Sequence, residues 1–292
     1  LITQALVKST VVELLRLASV ELPSDVKDAL KAAYAKESED VPKMQLKAIL
    51  DNIDLAHSTG TPMCQDTGVH IFYVTIGDVQ HDSIEPAIIQ GVEEATKTVP
   101  LRPNAVHPIT RKNPGTNVGV RMPYVNYKFS DGKYIEITAL PKGAGAENMS
   151  ALALLTPTQG VKGVKEFILN TVVKAGSNPC PPTILGVGIG GTADIAMKIA
   201  KEALLRPIDQ RNPDPEVAKL EIELREALNE LGIGPMGLGG RTTVLGVNVE
   251  YAYTHTASLP VAVNVQCWAA RRATARIYED GRVEYVSHRK EV

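Results

Sequence analysis

The chain has 292 residues, and its 31 Lys plus Arg against 33 Asp plus Glu leave a formal net charge of −2, so no strong field draws it to nucleic acid or an anionic membrane surface. Hydrophobic residues make up 44%, enough for a sizeable core in one large domain or two smaller ones, yet no window approaches the ~20 apolar residues of a membrane helix. Three cysteines, odd in number and widely spaced, match no secreted disulfide framework and favour a reducing cytoplasm.

From Leu1 to about His57 apolar residues recur at helical spacing in three pieces. Leu6, Val7, Val11, Leu14, Leu15 and Leu17 share one broad face. Lys8, Glu13 and Arg16 interrupt this stretch, so it reads as neither a membrane span nor a secretory signal. Pro23-Ser24-Asp25 breaks and recaps the chain before Val26 to Lys36, and a third helix starts near Pro42 with Leu46, Ile49, Leu50 and Ile53 in phase. Val69 to Ile76 alternates as a strand; Ser83, a residue type suited to an N-cap, opens a helix to Val99. Pro100 to Gly119 is irregular, and a loop of this length in a compact domain is as a rule functional or mobile. Its Arg102, Arg111 and Lys112 suit a carboxylate ligand.

Arg121 to Phe129 and Lys133 to Leu140, joined by Ser130-Asp131-Gly132, are predicted to pair as a hairpin. The glycines of Pro141 to Asn148 let backbone N–H groups converge on an anion, or serve as a flexible connection. Thr158 to Ala175 reads as a helix, Thr183 to Val187 as a strand, and Thr192 to about Leu205 as a further helix. Gly186-x-Gly188-x-x-Gly191 matches the dinucleotide fingerprint, but the acidic residue expected about 20 positions on is missing. A glycine turn packing helix against strand, or lending N–H groups to an anion, accounts for it better. A charged helix over Asp214 to Leu231 follows, then the glycine-rich Gly232 to Arg241, strands at Thr242 to Ala252 and Val261 to Val265, and a hairpin around Glu279-Asp280-Gly281. Interleaved helices and strands give an α/β fold class: mixed β-sheets flanked by helices, with a helical N-terminal segment, residues 1–57, packed on a single catalytic unit spanning 1–292.

Met63-Cys64-Gln65-Asp66-Thr67-Gly68 places a thiol, an amide and a carboxylate in succession on a helix-to-strand connection, where a rigid scaffold can present them to a ligand. Taken alone, this is more readily a buried cysteine beside a turn-forming Asp-Thr-Gly. Cys180, between Pro179 and Pro181, is kept out of helix interiors and central strands. If Cys64, Cys180 and Cys267 meet, zinc, a 4Fe-4S cluster and simple burial compete as explanations. Asp66 and His255, near in sequence to two of the thiols, are the proton-transfer candidates.

Met63 to Gly68, Leu140 to Asn148, Cys180-Pro181-Pro182, Gly188 to Gly191 and His255 to Pro260 through Cys267-Trp268, taken in order, resemble the class I, iron-sulfur fumarate hydratases, in their N-terminal half or alpha subunit. The resemblance covers nearly the whole chain. It implies that Cys64, Cys180 and Cys267 ligate a 4Fe-4S cluster with one open iron, and that Asp66 protonates a departing hydroxide with His255 near the substrate hydroxyl. It also implies that Gln65, Arg102 and the backbone of Gly143 to Gly145 contact a small dicarboxylate. A beta subunit then completes the active site, in a cytoplasmic dimer of alpha–beta units. The expected reaction is reversible hydration of fumarate to L-malate, with a place in the tricarboxylic acid cycle; the alternative is an L-tartrate dehydratase alpha subunit. A nicotinamide oxidoreductase and a non-catalytic subunit are the readings from other classes.

Overall fold

The computed structural model describes residues 1–288. In chain order the elements are α1 (Gln4–Val20), α2 (Ser24–Lys36), α3 (Asp40–Thr59), β1 (Val69–Ile76), α4 (Ile84–Thr98), β2 (Tyr124–Phe129), β3 (Ile135–Lys142), α5 (Ala144–Glu147) and β4 (Ala151–Leu155). There follow α6 (Gly160–Ala175), β5 (Thr183–Gly190), α7 (Ala193–Ala203), α8 (Pro215–Asn229), β6 (Val244–Ala252), β7 (Leu259–Gln266), β8 (Ala273–Ile277) and β9 (Val283–Tyr285). The α/β class with mixed sheets and a helical N-terminal segment is borne out. The described chain divides into two compact units, one of residues 1–24, 52–144 and 271–288, the other of 25–51 and 145–270.

The first unit is built on a five-stranded sheet in the order β2-β1-β3-β8-β9. Strand β1 lies parallel to β2 and antiparallel to β3, while β8 runs antiparallel to both β3 and β9. The expected hairpin of β2 and β3 is therefore not formed, because β1 sits between them and uses both its edges. Only five residues separate them in sequence, yet Phe72 and Val74 of β1 are core residues and gain most from a position inside the sheet. Apolar faces of α1 (Val7, Val11, Leu14, Leu15) and α4 (Ala87, Ile88, Val92, Ala95) cover this sheet in one core with Phe72, Ile135, Ile137 and Ala275. The predicted hairpin of β8 and β9 is present.

The second unit carries a four-stranded sheet in the order β4-β7-β5-β6, with β5 parallel to β6 and antiparallel to β7. Side chains alternate across the strands, so Leu185, Val187, Val261, Val263 and Val265 join α6 and α8 in one core. The opposite face meets α7, through Ala196, Ala200 and Ala262. A Cβ on Gly186 or Gly188 would lie 2.0 Å from the Ala200 carbonyl oxygen or 2.1 Å from that of Ala196. The glycine run thus serves helix-on-strand packing, as its missing acidic partner suggested.

Candidate functional site

Helix α3 ends at Thr59, and the chain turns through Gly60 into the cysteine-bearing segment. That segment is fastened at its start, where the Met63 N–H donates to the Ser19 carbonyl (2.9 Å) and the Asn52 amide to the Met63 carbonyl (2.8 Å). It is fastened at its end by Gly68, whose φ of +81° and missing side chain let it lie against the β3 backbone; a Cβ there would be 2.7 Å from the Lys142 nitrogen. Between these anchors Cys64 and Asp66 are half-buried and Gln65 is exposed.

Asp66 is held by the chain's own donors. Its Oδ1 accepts from the Gly68 N–H (2.9 Å) and the Asn104 amide (3.3 Å), and its Oδ2 from the Ala144 N–H (2.8 Å). The glycine-containing stretch after β3 therefore does direct an N–H at an anion, and that anion is the side chain of Asp66. An ionised carboxylate has about four lone-pair sites. With two filled on Oδ1 and one on Oδ2, the remaining acceptor position is on Oδ2. Gly143 lies against this oxygen, since a Cβ at Gly143 would come 3.3 Å from Oδ2 and 3.1 Å from a terminal nitrogen of Arg271.

The Arg102 backbone is tied to the same turn, its N–H donating to the Thr67 hydroxyl (3.0 Å), while its side chain is exposed. Two residues not singled out from sequence lie beneath. Arg271, 2% exposed, donates from one terminal nitrogen to the Asp66 carbonyl. His70, 1% exposed, sits on β1 with both ring nitrogens unpartnered among the described residues. Burial, reinforced by the Arg271 charge, pushes its imidazole down to about 4. Signals for both existed: a histidine in phase with Phe72 and Val74, and arginines directly before the apolar β8. Asn104 was legible only as part of a cationic loop.

In the second unit Cys180 occupies an irregular turn at φ +53°. Its carbonyl accepts the Trp268 N–H (3.2 Å), which brings the turn against the segment that leaves β7 at Cys267. The glycine-rich stretch supports the same turn, the Met236 N–H donating to the Pro181 carbonyl (2.7 Å). Cys267 is half-buried, its sulfur 3.7 Å from the Ala269 carbonyl oxygen. Gly145 is close by, since a Cβ on it would meet the Asn178 carbonyl oxygen at 3.5 Å. His255 is placed elsewhere. It lies on the connection before β7, tied to the far end of β5 through Thr254 and the Gly191 carbonyl (2.9 Å), whereas Cys267 follows the other end of the eight-residue β7. A strand of that length spans roughly 25 Å. The exposed imidazole accepts the Ala257 N–H at Nδ1 (3.1 Å), which leaves Nε2 as the outward-facing nitrogen.

None of the three cysteines is in a disulfide. Among the described residues no group of three or more His, Cys, Asp or Glu side chains is set to hold one metal ion. A 4Fe-4S cube distributes its thiolates over separate irons, so its ligands need not crowd as around a single ion. Sulfur donors suit such a cluster and not a hard cation.

A family model for fumarate hydratase (Fumerase) matches residues 8–276. A Methanocaldococcus jannaschii protein provisionally named L(+)-tartrate dehydratase subunit alpha is 53% identical over 283 residues, covering 95% of this chain and 99% of its own length. The Escherichia coli L(+)-tartrate dehydratase subunit alpha is 38% identical over 273 residues, covering 92% and 90%. The chain therefore belongs to the fumarate hydratase (Fumerase) family of hydro-lyases.

Proposed function

We propose that the chain is the alpha subunit of an L-tartrate dehydratase, which removes water from L-tartrate to give oxaloacetate. What carries this reading is near-full-length similarity to proteins named as tartrate dehydratase alpha subunits. The preference for fumarate drawn from sequence gives way to the alternative, and a place in the tricarboxylic acid cycle belongs with the fumarate reading alone. The name "subunit alpha" supports a beta subunit that completes the active site.

In this proposal Cys64, Cys180 and Cys267 hold a 4Fe-4S cluster. When bound, such a cluster supplies a Lewis-acidic iron able to polarise a substrate hydroxyl. Arg102 pairs with a substrate carboxylate, while Gln65 and the backbone of Gly143 and Gly145 orient the substrate. Elimination breaks one C–H and one C–O bond. A base takes the carbon-bound proton, Asp66 delivers a proton from Oδ2 to the departing hydroxide, and the resulting enol rearranges to the keto acid. His255, a strand's length from Cys267 in its own chain, serves this chemistry from a second copy, within a dimer of alpha–beta units in the cytoplasm. Residues 1–292 act as one catalytic unit.

Anaerobic reconstitution with iron, sulfide and the beta subunit, assayed in parallel on L-tartrate and fumarate, tests the reading. Faster turnover of L-tartrate is expected. Turnover of fumarate alone would restore the fumarate hydratase assignment, and no turnover of either acid would remove both.

A further inference from the structure

We propose that Asn104 is a positioning residue for Asp66, resting on the reading of Asp66 as the proton donor. The Asn104 side-chain amide donates to Asp66 Oδ1 (3.3 Å) and to the Gly68 carbonyl (3.2 Å), so one group touches both the carboxylate and the turn that carries it. Its own backbone N–H donates to Asn117 Oδ1 (2.7 Å). Asn117 is 1% exposed and in turn donates to the Thr96 hydroxyl (3.1 Å) and the Arg102 carbonyl (3.1 Å). The long loop is therefore anchored at Asn117, with Arg102 and Asn104 fixed in register against the Met63–Gly68 turn.

The consequence is chemical as well as mechanical. Asn104 and the Gly68 N–H together fill Oδ1, which leaves Oδ2, beside Gly143, as the oxygen open to carry a proton. Without the Asn104 donor the two oxygens become nearly equivalent and the carboxyl can rotate. The same relay registers the exposed Arg102, the proposed carboxylate clamp, with the proposed acid.

Two variants separate positioning from packing. Asn104→Ala removes the amide; Asn104→Leu keeps about the same size but removes both donated hydrogen bonds without adding a charge beside Asp66. With L-tartrate and the reconstituted complex, both are expected to lower kcat about tenfold to a hundredfold, the loss of a hydrogen bond to a charged group, with KM changed less than about twofold. A packing role predicts instead that Asn104→Leu stays close to wild type. A second readout needs no turnover. Hydrogen exchange of the isolated chain should speed up at the Gly68 and Ala144 amides, which bond to the Asp66 carboxylate, while β1 and β3 stay protected. Wild-type kcat in Asn104→Leu, or unchanged exchange at those two amides, overturns the proposal. Loss of turnover in the wild-type complex would fail the functional reading yet leave the exchange result standing.

Discussion

Gly68 and Asp66 divide the work of the cysteine-bearing turn. Any side chain at residue 68 meets the Lys142 backbone and must also adopt a left-handed conformation, so Gly68→Ala should cost about 2 kcal/mol or more in urea unfolding. Asp66→Asn is nearly isosteric and keeps the turn, so it should retain iron after anaerobic reconstitution yet lose turnover at least about a hundredfold. Full turnover in that variant would reject Asp66 as the acid. His70 contributes a pH dependence of its own. Its folded imidazole titrates near 4 because burial, then the Arg271 charge, disfavours the cation, while an unfolded histidine titrates near 6.5. Between those values the unfolded chain binds a proton that the folded chain does not, so stability falls as pH drops from about 6.5 towards 4, by up to about 3 kcal/mol. Urea midpoints of wild type and His70→Gln at pH 7 and pH 4.5 check this; the wild type should lose more. At this scale the sequence showed the reactive run Met63 to Gly68 because its residue types are contiguous. It hid Asn104, whose role comes from a hydrogen bond 38 positions away.

Helix α8 shows what periodicity alone conceals. Its charge pattern reads as an exposed helix, but Glu221 is fully buried, accepting from Arg206 (2.6 Å), the Val249 N–H (2.9 Å) and the Asn212 N–H (3.1 Å). Removing it would leave two backbone donors without their acceptor and Arg206 with Glu250 as its remaining carboxylate partner, so Glu221→Ala should destabilise the fold by about 3 kcal/mol or more. Glu223, on the same helix and paired with Lys165 at the surface, should cost less than about 1 kcal/mol. Equal losses in urea unfolding would show that burial does not distinguish them. Strand pairing was similarly out of reach, since β2 and β3 are close in sequence but each seeks an edge of β1. By contrast β1, α6 and the β8–β9 hairpin were legible, because alternation, helical period and an Asp-Gly turn are local signals.

For the whole enzyme, the distance between His255 and Cys267 makes a definite demand on assembly. If His255 acts from a second copy, co-expressed alpha chains carrying His255→Ala and Cys267→Ser should recover turnover that neither variant shows alone, since mixed dimers contain one intact pairing. No recovery would mean that His255 does not act in this way. The order of the segments along the chain has a separate consequence, for biosynthesis. Strand β8, which pairs with β3 in the first unit, is translated only after the last residue of the second unit, Ala270. A ribosome therefore finishes the second unit first, and the first unit must wait, its sheet missing two strands, until β8 and β9 emerge.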